Sequence, residues 1–106
     1  MGDTKFLYGE VFLEAEDLKE RSTKNPIELM YYKTQQSRNS LNNQPYKIFG
    51  IEVIKKERIG EKIQIESSKI EYISKNEKTV DKLMELLKNN TVTPITLEDV
   101  IGDILH

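Results

Sequence analysis

In the opening segment TKFLYGEVFLEAEDLKER, the apolar residues Leu7, Tyr8, Val11, Phe12, Ala15 and Leu18 recur at steps of three and four. That spacing places them on one stripe of a helix, with Asp3 or Thr4 available to cap its start. The aromatic- and Val-rich run from Phe6 to Leu13 also admits a strand. The Glu-Ala-Glu-Asp-Leu-Lys-Glu continuation favours the helix, and Gly9 counts against it. RSTKNP then interrupts the pattern, and Pro26 forces its predecessor into extended conformation.

Beyond Pro26 the period changes to two. Ile27, Leu29 and Tyr31 alternate with Glu28, Met30 and Tyr32 in a strand predicted from Ile27 to Gln35. A second strand, Tyr46 to Arg58, has Phe49, Ile51 and Val53 on one face and Ile48, Gly50, Glu52, Ile54, Lys56 and Arg58 on the other. In a third, Lys62 to about Glu66, Ile63 and Ile65 point inward. ERIGEK reads as a hairpin turn between the last two strands, and QQSRNSLNNQP as a long polar loop between the first two.

The chain closes with two helices. Ser74-Lys75-Asn76-Glu77 fits a capping box ahead of the stripe Val80, Leu83, Met84 and Leu87, and Asn89-Asn90 can stop that helix in a left-handed conformation. Thr96-Leu97-Glu98-Asp99 opens a last helix whose apolar face is Leu97, Val100, Ile101, Ile104 and Leu105. An N-terminal helix, a three-stranded antiparallel sheet and a C-terminal helix pair make one α+β, winged-helix-like domain over residues 1–106.

Composition removes several classes of function. The chain has no cysteine, and its one histidine is terminal, so Ser-His-Asp, Cys-His and thiolate metal sites are absent. The five glycines are isolated and form no phosphate-cradling loop. The expectation is a non-enzymatic binding protein without cofactor or metal. No secretory leader or membrane span is legible, so a cytoplasmic location is expected.

The net charge of −2 conceals a pattern: residues 1–18 carry −4, residues 19–62 carry +5, and residues 63–106 carry −3. Phosphate binding depends on such local concentrations, not on the total. The candidate DNA-binding residues are Lys55, Lys56 and Arg58 at one strand end, Lys62 at the next strand's start, and Gln35, Gln36, Arg38 and Asn39 in the loop. Lys24 and Lys33, in the same basic stretch, are counted with them. Arg, Asn and Gln read base edges, and Lys holds phosphate, although a charged hairpin tip also serves simply to prevent edge pairing.

The last helix is laid out like a recognition helix but offers Glu98, Asp99 and Asp103 to a polyanion, which argues for a packing role. The aromatics Phe6, Tyr8, Phe12, Tyr31 and Tyr32 fit core packing or a self-association face better than base stacking.

From Tyr46 onward, YKIFGIEVIKKE, IEYIS and VDKLMELLKNNTVTPITLEDVIGDIL resemble a family of small clostridial proteins of unknown function. That family has a YGIE-like strand (with Phe49 here in place of the Tyr), an I-x-x-I-S entry to a helix and an N-x-V-x-P-x-x-L-x-D-V-x-x-x-L ending. The group is in turn similar to the TcpK-like winged-helix accessory proteins of plasmid conjugation. This resemblance implies duplex DNA as partner, at a plasmid transfer origin alongside other relaxosome proteins. The alternative is a regulatory module that binds a protein partner through its acidic helix pair. A homodimer is expected, built on Leu7, Tyr8, Val11, Phe12 and Leu18 with Leu86, which would double a narrow basic patch.

Overall fold

The computed structural model describes residues 4–13 and 25–105. Its strands are β1 (Thr4–Leu13), β2 (Ile27–Asn39), β3 (Pro45–Ile59) and β4 (Lys62–Ser74). The helices α1 (Glu77–Asn89) and α2 (Leu97–Leu105) follow, joined through a 3₁₀ turn at Pro94–Thr96. The strands form one antiparallel sheet in the order β1-β2-β3-β4, each paired with its neighbour in sequence. The helices pack on one face of this sheet, and among the described residues no element covers the other, called the open face below.

This corrects the expectation of an N-terminal helix, a three-stranded sheet and a winged-helix plan. The segment from Thr4 to Leu13 is a fourth strand, antiparallel to β2. Its helix-like spacing has a physical cause. The register slips between Leu7 and Gly9, and an inserted residue breaks the two-residue alternation. Leu7 and Phe12 lie on the open face and Tyr8 and Val11 on the helix side, so apolar residues drawn from both faces fall at the three- and four-residue steps of a helix. Ala15 and Leu18, which extended the supposed stripe, lie outside the described residues.

The core lies between the sheet and the helices. Leu13, Ile27, Leu29, Tyr31, Phe49, Ile51 and Val53 from the sheet meet Val80, Leu83, Met84 and Leu87 of α1, Val92, and Leu97 and Ile101 of α2. The alternation read in Ile27–Tyr31 and Phe49–Val53 thus selects the helix-facing side. β4 runs well past Glu66 to Ser74, so the I-x-x-I-S motif is the end of a strand, and its Ser74 opens the short turn into α1. Next to Gly50, the β3–β4 register shifts between Phe49 and Ile51. There the β4 backbone crosses so closely that a Cβ on Gly50 would lie 2.2 Å from the Ile70 carbonyl oxygen.

α1 is capped by Asn76, whose side chain accepts from the Lys78 amide at 2.9 Å. Ser74 was the expected cap; its Oγ instead accepts from the Asn76 amide at 2.9 Å. The residue that turns left-handed after α1 is Thr91 (φ 47), one position beyond the Asn pair. On α2, Glu98, Asp99 and Asp103 are exposed, as the sequence suggests, while Leu97 and Ile101 are buried. Among the described residues no helix is long and apolar enough to cross a membrane.

Candidate nucleic-acid interface

β2 and β3 outrun their neighbours. β1 pairs no farther along β2 than Gln35 (with Thr4), and β4 no farther along β3 than Phe49 (with Ser74). Beyond those points, among the described residues, Gln36, Ser37, Arg38 and Asn39 pair only with Ile48, Lys47, Tyr46 and Pro45. The result is a two-stranded ribbon at one end of a molecule 53 Å long. The expected long loop shrinks to the turn Ser40–Gln44.

The turn is built by its own residues. Ser40 Oγ accepts from the amides of Asn42 (3.3 Å) and Gln44 (3.2 Å), and the Ser40 amide donates to the Gln44 carbonyl at 3.0 Å. Asn43 takes the left-handed position, with φ 57, which Asn tolerates better than most residues. Pro45 stands first in β3, where a missing amide is tolerated.

Electrostatics single out this ribbon. From Leu29 to Ile51 the sequence contains no Asp or Glu, while it carries Lys33, Arg38 and Lys47. Arg38, Asn39 and Lys47 are exposed, and so are the turn residues Asn42, Asn43 and Gln44. Arg38 lies over the Tyr72 ring, 5.2 Å from its centroid; its Nη2 donates to the Tyr72 hydroxyl and, at 2.7 Å, to Gln36 Oε1. Lys75, just past β4, lies 4.3 Å from the centroid of Tyr46. Such cation–π contacts hold the cationic heads in place while leaving their charge intact. Glu71 flanks the cluster. Gln36, followed by Lys69, holds its carboxyl below the usual carboxylate range, so it stays ionised and marks the anionic border of the patch.

The other sequence-predicted residues are dispersed. Gln36 is buried against Arg38, where it supports the arginine and cannot reach a base, and Gln35 is half-buried. Lys33 faces α1 and is fully engaged there, with Nζ 2.6 Å from Glu77 Oε2 and 2.8 Å from Asp81 Oδ1. Burial pulls the Lys33 pKa down, but the hydrogen bonds to Asp81 and Glu77 hold it above its ordinary value. Lys55 also points to the helix side, 3.1 Å from Glu66 and 3.8 Å from Glu57. Lys56 and Arg58 lie on the open face and line a cleft with Phe12, Glu28 and Ile63. Lys62 is exposed at the β3–β4 turn, and Lys24 lies outside the described residues. Because strands rise about 3.3 Å per residue, Arg58 is roughly 40 Å along β3 from Tyr46. The two hairpin ends therefore cannot form one small patch.

Sequence reasoning missed Lys47, Lys75, Tyr46 and Tyr72. The absence of acids between Leu29 and Ile51 was the available signal for Lys47. Nothing in the linear sequence brings Lys75 and Tyr72 to the ribbon, because only the β3–β4 pairing does so.

No curated protein and no solved structure matches the chain significantly. A family model does match, over residues 10–106, and the chain belongs to that family, a family of unknown function designated DUF6514.

Proposed function

We propose that the chain binds duplex DNA by placing the β2–β3 ribbon in the major groove. The supporting observation is the ribbon itself: a projecting, acid-free pair of strands bearing exposed Arg38, Asn39, Asn42, Asn43 and Gln44, with Lys47 and Lys75 beside it. A major groove about 12 Å wide admits a two-stranded ribbon. Arg, Asn and Gln at the tip would address base edges, and the lysines at the base would meet flanking phosphates. The helix pair is scaffold in this reading, because exposed Glu98, Asp99 and Asp103 would be repelled by the duplex. An accessory role at a plasmid transfer origin is a narrower version of the same proposal, tested by preference for such DNA over random duplex.

The test is fluorescence anisotropy of a labelled duplex across a salt series. Wild type should bind with a log–log slope of about −0.9 for each phosphate neutralised. Reversing Arg38, Lys47 and Lys75 to Glu should abolish binding, whereas Lys56→Glu with Arg58→Glu, at the far end, should leave it nearly intact. Salt-independent binding, or an unaffected ribbon variant, refutes the reading and leaves a protein partner at the acidic helix pair as the better account.

A further inference from the structure

We propose that β1 is a self-association edge, through which two copies pair their β1 strands antiparallel about a two-fold axis near Tyr8 and join their sheets into one. This inference is independent of the nucleic-acid reading.

Among the described residues β1 and β4 are the two edges of the sheet, and an edge strand presents a row of backbone donors and acceptors along its outer side. The edges differ in how they are protected. β4 spreads Lys62, Glu66, Lys69 and Glu71 along its length, the usual deterrent to pairing. β1 carries only Lys5 and Glu10, one charge of each sign; Lys5 holds Glu52 of its own chain at 3.1 Å and, 47% exposed, is still within reach of a strand alongside. Its remaining side chains are mostly large and apolar and lie in solvent: Phe6 (46% exposed), Leu7 (49%), Tyr8 (36%) and Phe12 (71%). Leu7 and Phe12 project on the open side and Phe6 on the helix side, where the Tyr8 hydroxyl meets Glu85. Apolar surface on both faces of an edge strand is covered most directly by another strand alongside it.

Charge complementarity indicates that the strand is a second copy of β1. Lys5 and Glu10 share the open face and flank the bulge. An antiparallel two-fold near Tyr8 brings Lys5 of each copy to Glu10 of the other, opposite or diagonal, and sets no like charges against each other. On the same face Glu10 is hydrogen-bonded with Glu28, whose carboxyl this bond pushes above its usual value while Lys56 pulls it down. The residues nearest the axis, Leu7, Tyr8 and Gly9, are uncharged and can face their own copies. Both helix layers then lie on one face of the joined sheet, and the two ribbons project from opposite ends.

Sedimentation equilibrium over a concentration series reaching hundreds of micromolar tests this directly. Wild type should shift from 12.4 kDa toward twice that mass. Leu7→Lys with Phe12→Lys changes only exposed positions, so the fold should survive (checked by circular dichroism) while dimerisation weakens at least tenfold. The chain has no cysteine of its own, so under mild oxidation Leu7→Cys should give a covalent dimer, whereas Ile95→Cys, on a remote exposed turn, should not. A wild type that stays monomeric throughout overturns the proposal. So does a dimer that tolerates both lysines.

Discussion

The hydroxyl of Tyr31, at the centre of β2, donates to the carbonyl of Val92 across 2.9 Å. Tyr31 is fully buried, and Val92 belongs to the connection between α1 and α2. This bond anchors the inter-helix link to the sheet, and burial pushes the phenol far above its ordinary pKa, so it remains a donor throughout the accessible pH range. Tyr31→Phe keeps the ring and leaves a buried carbonyl without its partner. The expected loss is about 1–2 kcal/mol, measured by urea unfolding, with an unchanged m value. A loss below a few tenths would mean that the link relaxes to find another donor.

Gly50 permits the close crossing of β3 and β4. A Cβ there meets the Ile70 carbonyl oxygen at 2.2 Å and the Glu71 backbone at 2.6 and 2.7 Å, with no flexible side chain able to yield. Gly50→Ala must therefore displace β4 itself. We expect about 3 kcal/mol of destabilisation, at the upper end for overpacking, and altered amide shifts from Ile70 to Ser74. Gly60, with φ +64 and open space around it, makes a useful contrast: Gly60→Ala should cost only the local penalty of a left-handed alanine, about 1–2 kcal/mol.

What the sequence reveals follows from which faces are covered. Ile27, Leu29 and Tyr31 alternate legibly because helices cover one side of β2 and not the other. No helix covers the ribbon, so Gln36 to Asn39 shows no apolar alternation and reads as loop although it is strand, while its partner from Tyr46 onward is read as strand correctly. In β1 a bulge shifts the phase, and Leu7, Tyr8, Val11 and Phe12 fall into false helical spacing. The second half of β4 hides for another reason: Ser67, Ser68, Lys69 and Glu71 lie at an edge where polar residues suffice. α1 and α2, each buried along one stripe, are read correctly from Val80–Leu87 and Leu97–Ile101. The basic residues were found by charge, but their grouping depends on strand lengths, which the sequence understates.

Lys33 predicts a pH dependence. Hydrogen bonds to Asp81 and Glu77 raise its pKa in the folded chain above the ordinary 10.5. A raised lysine binds its proton more tightly when folded, so its contribution is complete below about 10.5 and is lost as pH rises through the folded value. Lys33→Met retains the aliphatic stem and removes the charge. The stability difference between wild type and variant should be constant from neutral pH to about 10 and shrink above it. A difference that does not change up to pH 12 would show that the charge contributes nothing and the stem everything.

The sharpest test of the ribbon is Arg38, because its effect depends on sequence. Tyr72 and Gln36 hold its guanidinium through Nη2, so the side chain is pre-positioned and loses little freedom on binding. On a selected duplex, Arg38→Ala should cost about 1–3 kcal/mol and relax preference at a single base pair. Lys47→Ala should instead weaken all duplexes alike and lower the salt slope by about one phosphate contact. Gln36→Ala separates support from readout. Gln36 is 7% exposed and cannot reach the groove, yet it fixes Arg38, so its loss should blur the same base preference more weakly and leave the salt slope unchanged. Binding selections on randomised duplexes for the three variants would resolve these patterns. If Arg38→Ala lowers affinity equally on every sequence, Arg38 is a phosphate contact, and the ribbon positions the protein on DNA without reading it.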